Sequence, residues 1–191
     1  MTVTDHEYLK KILLAPVYDV AVNSDLVLLS RLTAELGNDV FLKREDQQPV
    51  KSFKLRGAYN RIASLSPEQL DAGVIAASAG NHAQGVAYSA NMKGINATIV
   101  MPETTPDIKI EAVRRFGGQH ANVVLHGTNF DTASAHGANV HPIDKFSGLD
   151  CGIFNHVAEQ HIQECGAGRG TIAEGHECHV GRGKDRVISV G

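Results

Sequence analysis

Tryptophan is absent from the 191 residues, and aromatic side chains make up only 5% of them. An excess of basic charge is absent too, because 18 lysines and arginines stand against 21 acidic residues, a formal net charge of −3. No apolar run approaches the roughly 20 residues that a membrane-spanning helix needs. The sequence therefore gives no basis for a nucleic-acid-binding surface, a membrane span or attachment to an anionic membrane.

Cysteine is scarce, with three in the chain. The N-terminal stretch Met1–Glu7 carries acidic residues and lacks the apolar segment of a signal peptide. Three cysteines in a chain without an export signal are typical of free thiols in a reducing compartment. The composition predicts a cytoplasmic protein.

Strands alternate with helices in the middle of the chain, where 42% overall apolar content supports a buried core. Buried strands are predicted at Val74–Ala77, Ala97–Met101 and Val123–Leu125, with helices at Asn81–Met92 and Pro106–Arg115 between them. This order is typical of a parallel sheet built from βαβ units, so the fold class is α/β. Ligands in such sheets bind at the carboxyl ends of the strands.

Lys54 lies in the first turn of a further predicted helix. Ser52 can cap that helix, and Leu55, Tyr59 and Ile62 recur at helical spacing behind it. The helix dipole disfavours an ammonium at this end, and lysines of this kind form Schiff bases. The alternative, which this stretch alone favours, is a solvated lysine on an amphipathic helix.

A second candidate stretch, Ser78–Gly85, follows the Val74–Ala77 strand and opens the next helix. Its turn is short and small, so backbone N–H groups at the helix N-terminus can hold an anion there. The alternative is an ordinary strand-to-helix turn with Asn81 as a cap.

Together, four segments carry a specific resemblance: Lys43–Asn60, Ala77–Ala87, Met101–Pro106 and Glu111–Gly118. They resemble the biosynthetic threonine dehydratase (threonine ammonia-lyase) family, which belongs to the fold type II, tryptophan synthase β-like enzymes. The likeness is close from about residue 8 to about residue 131.

The resemblance implies pyridoxal 5′-phosphate as the cofactor, held covalently by Lys54. Phe53 packs beside the cofactor ring, and Asn81 hydrogen-bonds its phenolic oxygen. The substrate carboxylate is held by four backbone groups of the turn: Ser78, Ala79, Gly80 and Asn81. Lys54, once released, is the base. Threonine then yields 2-oxobutanoate and ammonia, the first step of isoleucine biosynthesis, and serine yields pyruvate.

Four nearby polar residues receive separate interpretations. Glu45 and Asp46 are interpreted as a solvated pair of loop acids rather than site carboxylates. Arg56 is expected to be paired at the surface. His82 either touches substrate or has a capping or packing role, and the sequence favours neither.

The last sixty residues differ in composition. Eight of the ten histidines and all three cysteines follow residue 119. Imidazole and thiolate are the usual ligands of zinc, and six of these side chains are candidates: His156, His161, Cys165, His176, Cys178 and His179. No Cys-x-x-Cys spacing occurs among them, so no metal site is predicted. Family likeness persists faintly in Gly168–Glu174 and in Asp185–Gly191, the latter similar to the strand before the family's glycine-rich phosphate loop. We expect a truncated or frame-shifted member.

Three regions follow from the resemblance. Residues 1–56 are the N-terminal part of the larger cofactor domain, residues 57–131 are a small βαβ domain, and residues 132–191 are a divergent tail. The first function hypothesis is a threonine dehydratase, a homo-oligomer in the family, with weak or no activity expected of this chain alone. A serine dehydratase or racemase relative, a non-catalytic fragment or pseudogene product, and a zinc-binding tail are the alternatives.

Overall fold

The computed structural model describes the backbone of residues 5–140, 178–179 and 186–190, and the side chains of residues 6–7 and 9–137. Its helices are α1 (Asp5–Leu13), α2 (Ser30–Leu36), α3 (Lys54–Ala63), α4 (Pro67–Ala72), α5 (Asn81–Lys93), α6 (Asp107–Gly117) and α7 (Phe130–Val140). Its strands are β1 (Leu26–Leu28), β2 (Val40–Arg44), β3 (Val74–Ala77), β4 (Ala97–Met101), β5 (Ala121–Leu125), β6 (Cys178–His179) and β7 (Arg186–Val190). No helix in this described part is both long and apolar enough to cross a membrane.

The predicted parallel sheet is confirmed as three strands in the order β3-β4-β5. Val74 pairs with Ala97, and Ala97 pairs with Ala121, so the three strands run in step. Their carboxyl ends therefore meet at one edge of the sheet, which is the edge where the Ser78–Gly85 stretch begins.

Helices cover both faces of this sheet. Ile99 and Met101 pack in a buried cluster with residues of α5 and α6. Alternate residues of a strand point to opposite faces, and Val100 lies against α7, where a Cβ at Gly137 would be 3.4 Å from its Cγ2. The three-layer arrangement follows from strands that are apolar on both sides.

Local sequence signals explain several helix ends. Ser66 and Gln69 form a reciprocal capping box at the start of α4, with Pro67 at the first helical position. The α5 helix ends at Gly94, whose left-handed backbone suits glycine. The α7 helix was not predicted, and it runs across the expected domain limit at residue 131.

A second, mixed sheet has the order β1-β2-β7-β6. The β7 strand runs parallel to β2, with Val40 opposite Arg186. This confirms the strand expected at the C-terminal end of the chain. All three residues of β1 are exposed.

Candidate active site

Lys54 is the first residue of α3, as predicted. The Oγ of the buried Ser52 accepts a hydrogen bond from the Lys54 backbone N–H at 3.3 Å. The Lys54 Nζ lies 4.6 Å from the centroid of the Phe53 ring. The α3 helix then buries Leu55, so the backbone next to the lysine is anchored while its amine faces an aromatic ring.

Residues 78–81, here called the asparagine turn, link β3 to α5. The α5 helix begins at Asn81 after Gly80. The Ser78 N–H donates to the Val100 carbonyl at 3.0 Å and so continues the sheet ladder. The Gly80 N–H donates to the Ser78 Oγ at 3.3 Å. N–H groups in the first turn of a helix have no partner within the helix, and in α5 this turn starts at Asn81.

Gly85 brings the asparagine turn and Lys54 together. A Cβ at Gly85 would lie 3.3 Å from the Lys54 carbonyl carbon, the Lys54 carbonyl oxygen and the Leu55 nitrogen. The backbones of α5 and α3 therefore touch at the lysine, one helical turn beyond Asn81. Only glycine allows so close an approach without displacing a neighbour.

His82 lies in the first turn of α5 beside this contact. Burial, and secondly the positive charge of Lys54, lower its pKa from the usual 6.5 to about 4. The imidazole is therefore neutral near neutral pH. The sequence left its role open, because neither burial nor the neighbouring lysine is visible in the local pattern.

The interpretation of Glu45 and Asp46 as solvated acids is wrong for Glu45. Glu45 is 3% exposed, and its carboxylate accepts hydrogen bonds from Arg56 at 2.8 and 2.9 Å. Asp46 is half-exposed and pairs with Arg44. The predicted pairing of Arg56 is present, but Arg56 is turned to this buried partner and is itself half-buried.

Burial alone would raise the pKa of Glu45. Hydrogen bonds from Arg56 and Ser24, together with the Arg56 charge, more than offset it, so its pKa is lowered. Glu45 is therefore ionised in the folded protein. The sequence missed this residue because its partner Ser24 is 21 positions away.

Lys51 has a φ of 59°, and it is the only non-glycine residue with positive φ in the described part of the chain. Its side chain is exposed. A left-handed conformation costs an L-residue about 1 kcal/mol or more. Such backbone strain is commonly found next to functional groups, and Lys51 lies three residues before Lys54.

Replacing Lys51 by glycine should raise the free energy of unfolding by up to about 1 kcal/mol, because glycine adopts positive φ without strain. Replacing it by valine should lower the free energy by more than that, since β-branched residues tolerate this region least. Urea unfolding of both variants measures the difference. Equal midpoints for the glycine and valine variants would contradict strain at this position.

The zinc candidates lie outside the residues whose side chains the structure describes. Within the described residues, no group of three or more histidine, cysteine or acidic side chains could hold a metal ion.

Comparison with known protein families gives a match over residues 17–145, more than half of the chain, to the family described as pyridoxal-phosphate dependent enzyme. The chain belongs to this family. The match contains both Lys54 and the asparagine turn. Pyridoxal phosphate is the cofactor of this family.

Within this family, the chain is most similar in sequence to threonine dehydratases among the relatives compared below. The L-threonine dehydratase biosynthetic IlvA of Pasteurella multocida is 61% identical over 132 residues, which is 69% of this chain and 25% of that protein. The processed form of threonine deaminase isoform 2 from Solanum lycopersicum has a TM-score of 0.66 at 55% identity, covering 71% of this chain and 38% of that one. Maize serine racemase has a TM-score of 0.64 at 30% identity, covering 69% and 40%. The chain spans about a quarter of the length of the curated relatives that it matches.

The residues present fit pyridoxal phosphate. The aldehyde of this group reacts with a lysine amine, and Lys54 is a half-buried residue whose amine lies beside the Phe53 ring. An aromatic side chain suits a flat ring. The neutral His82 adds no competing positive charge next to that amine.

Proposed function

We propose that this chain carries the lysine and substrate-carboxylate part of a threonine dehydratase site. The observation that supports it best is the contact at Gly85, because there α5 meets the backbone of Lys54 one helical turn beyond Asn81. The 61% identity to a biosynthetic threonine dehydratase supports threonine as the substrate.

Lys54, Phe53 and Asn81 are the residues that serve the cofactor in this proposal. Lys54 would hold the cofactor covalently, and its amine is the group that would take the α-proton of the amino acid. Phe53 would pack beside the cofactor ring, and the Asn81 amide would hydrogen-bond it. When bound, pyridoxal phosphate supplies an electron sink for the negative charge left at the α-carbon.

The substrate carboxylate binds at the N-terminus of α5, where N–H groups and the helix dipole favour an anion. Ala79 and Asn81 contribute their backbone N–H groups. The Ser78 N–H already donates to Val100 and the Gly80 N–H to the Ser78 Oγ, so Ser78 contributes through its hydroxyl and Gly80 by shaping the turn. Loss of the β-hydroxyl as water leaves an enamine, and its hydrolysis releases 2-oxobutanoate and ammonia.

The division into a larger-domain part (1–56) and a small domain (57–131) is part of the same proposal. It is supported by the two sheets, since β1 and β2 fall in the first range and β3, β4 and β5 fall in the second. A homo-oligomer and a cytoplasmic location stay predictions from the family likeness and the cysteine content.

A serine dehydratase or racemase is the second candidate. The likeness to maize serine racemase supports it, although that protein is 30% identical where the tomato threonine deaminase is 55% identical. Assays of the same preparation with threonine and with serine separate the two. Faster formation of 2-oxobutanoate from threonine than of pyruvate from serine supports the threonine dehydratase, the reverse supports a serine dehydratase, and D-serine supports a racemase.

Treatment with pyridoxal phosphate and borohydride, followed by peptide mapping, tests the proposal. We expect the label to concentrate on Lys54, and Lys54→Arg to lose at least about tenfold of it, because arginine forms no such adduct. Lys51→Arg is the matched control and should keep the Lys54 label. Label scattered over surface lysines would overturn the proposal and favour a non-catalytic fragment.

A further inference from the structure

Buried polar side chains concentrate around the segment that leads into α3. In the part of the chain that the structure describes, six polar or charged residues are buried. Four of them lie just before α3 or in the segment packed against it: Ser24, Glu45, Gln48 and Ser52. Burying polar groups costs free energy unless they are fully hydrogen-bonded. The concentration of four such residues next to α3 therefore needs a structural or functional explanation.

Glu45 is the centre of this cluster. Its Oε2 accepts from the Arg56 Nε at 2.8 Å, and its Oε1 accepts from the Arg56 Nη2 at 2.9 Å. The Ser24 hydroxyl also donates to Oε1, at 2.6 Å. A two-point guanidinium–carboxylate pair fixes direction as well as distance. The first turn of α3 is therefore held in a fixed orientation relative to the segment that carries Glu45.

Gln48 anchors the same segment through a second set of hydrogen bonds, to Val22. Its Oε1 accepts from the Val22 N–H and its Nε2 donates to the Val22 carbonyl, both at 2.9 Å. The Arg56 Nη2 donates to that same carbonyl at 3.3 Å. The extended segment around Val22 is thereby joined to both flanks of the lysine.

Backbone turns transmit this anchoring to Lys54. The Gln48 N–H donates to the Glu45 carbonyl at 3.2 Å, and the Lys51 N–H donates to the Gln48 carbonyl at 2.8 Å. Ser52 then accepts from the Lys54 N–H. Lys54 lies between Gln48 and Arg56, and a single residue, Phe53, separates it from the buried Ser52.

We propose that Ser24, Glu45, Gln48 and Arg56, here called the lysine clamp, are positioning residues that fix the backbone of Lys54 and thereby the placement of its amine. This inference rests on the proposed function, because a covalent cofactor link and an α-proton transfer both depend on placement of one amine. Misplacement by about 1 Å can cost such a group about a hundredfold in rate.

A buried ion pair can also serve stability alone, and the two roles predict different results. A clamp changes the environment of Lys54 in the folded protein. A purely structural pair changes the unfolding midpoint and leaves the folded environment of Lys54 as it was.

Competitive acetylation of the full 191-residue chain with acetic anhydride separates these roles. Mass spectrometry gives the ratio of Lys54 to Lys109 acetylation, with Lys109 as an exposed reference on α6. Measurements are made below the unfolding transition, with circular dichroism confirming the fold. We expect Glu45→Gln to raise the ratio by at least about threefold, because loss of the pair frees the first turn of α3.

Matched variants complete the test. Glu111→Gln removes the partner of an exposed pair with Arg114 and should leave the ratio unchanged. Ser24→Ala removes one hydrogen bond from Glu45 and should raise the ratio less than Glu45→Gln, which keeps the proposal testable if the latter does not fold. Arg56→Lys preserves the charge but loses the two-point pair with Glu45, so it should also raise the ratio, by less than Glu45→Gln.

An unchanged ratio in Glu45→Gln and Ser24→Ala, with a lowered unfolding midpoint, would overturn the clamp. Acetylation involves no cofactor, so this result is independent of the pyridoxal phosphate trapping. Failure of that trapping in the unsubstituted chain overturns the proposed function instead.

Discussion

Replacing Gly117 by alanine should lower the free energy of unfolding by about 3 kcal/mol, at the upper end of the cost of overpacking. A Cβ at Gly117 would lie 2.1 Å from the Ala121 Cβ and 3.2 Å from the Ala87 Cβ. Neither neighbour is the end of a flexible side chain. Ala121 is held by pairing with Ala97 at the start of β5, and Ala87 is fully buried on α5. The strain must therefore move α6 away from α5 or β5 out of register.

Gly57→Ala is the matched control for this substitution. Gly57 lies within α3, and a Cβ there would meet nothing within 4 Å. Alanine should stabilise the helix there by about 0.5–1 kcal/mol. Urea unfolding of the two variants should give shifts of opposite sign. If Gly117→Ala unfolds at the wild-type urea concentration, the close contact of α6 with β5 is not present in solution.

Acidification should remove about 3 kcal/mol of stability through His82 alone, since its pKa falls from the usual 6.5 to about 4 in the folded protein. The unfolded chain takes up the proton below about pH 6.5, while the folded protein resists it until about pH 4. The contribution is therefore complete above pH 6.5 and is progressively lost as the pH falls toward 4.

His82→Asn removes this titration and isolates it from the other histidines and the carboxylates. The difference in unfolding free energy between the chain and this variant should shrink on going from about pH 7 to about pH 4. His6→Asn, at an exposed position of α1, should show no such trend. Parallel pH profiles for the unsubstituted chain and His82→Asn would mean that the imidazole is not held neutral beside Lys54.

Much of the sheet could be predicted from sequence because its signals are local. Val74–Ala77 and Ala97–Met101 have the predicted limits, since each is a short apolar run bounded by turn residues. The capped start of α4 depends only on Ser66, Pro67 and Gln69, which are close neighbours in the sequence. The α7 helix was missed because its signal is weak and its burial depends on the far face of a sheet formed elsewhere in the chain.

The candidate site divides in the same way. The placement of Lys54 at the start of α3 and of Asn81 at the start of α5 follows from residue types and periodicity in neighbouring positions. The contact between these two helices depends on Gly85 meeting the Lys54 backbone. The sequence around a single glycine in a helix does not indicate which segment packs against it. The left-handed backbone of Lys51 carries no local signal either, since lysine does not favour it.

The sequence by itself determined the α/β class, the family likeness and the lysine, because residue type and spacing over a few positions are sufficient for each. Tertiary structure alone decided that Glu45 is buried rather than solvated, and that His82 is neutral. Burial and charge environment depend on groups brought from distant positions, such as Ser24 for Glu45 and Lys54 for His82. A local pattern cannot report such neighbours, since the free energy of a charged group is set by everything within a few ångströms of it in the folded chain.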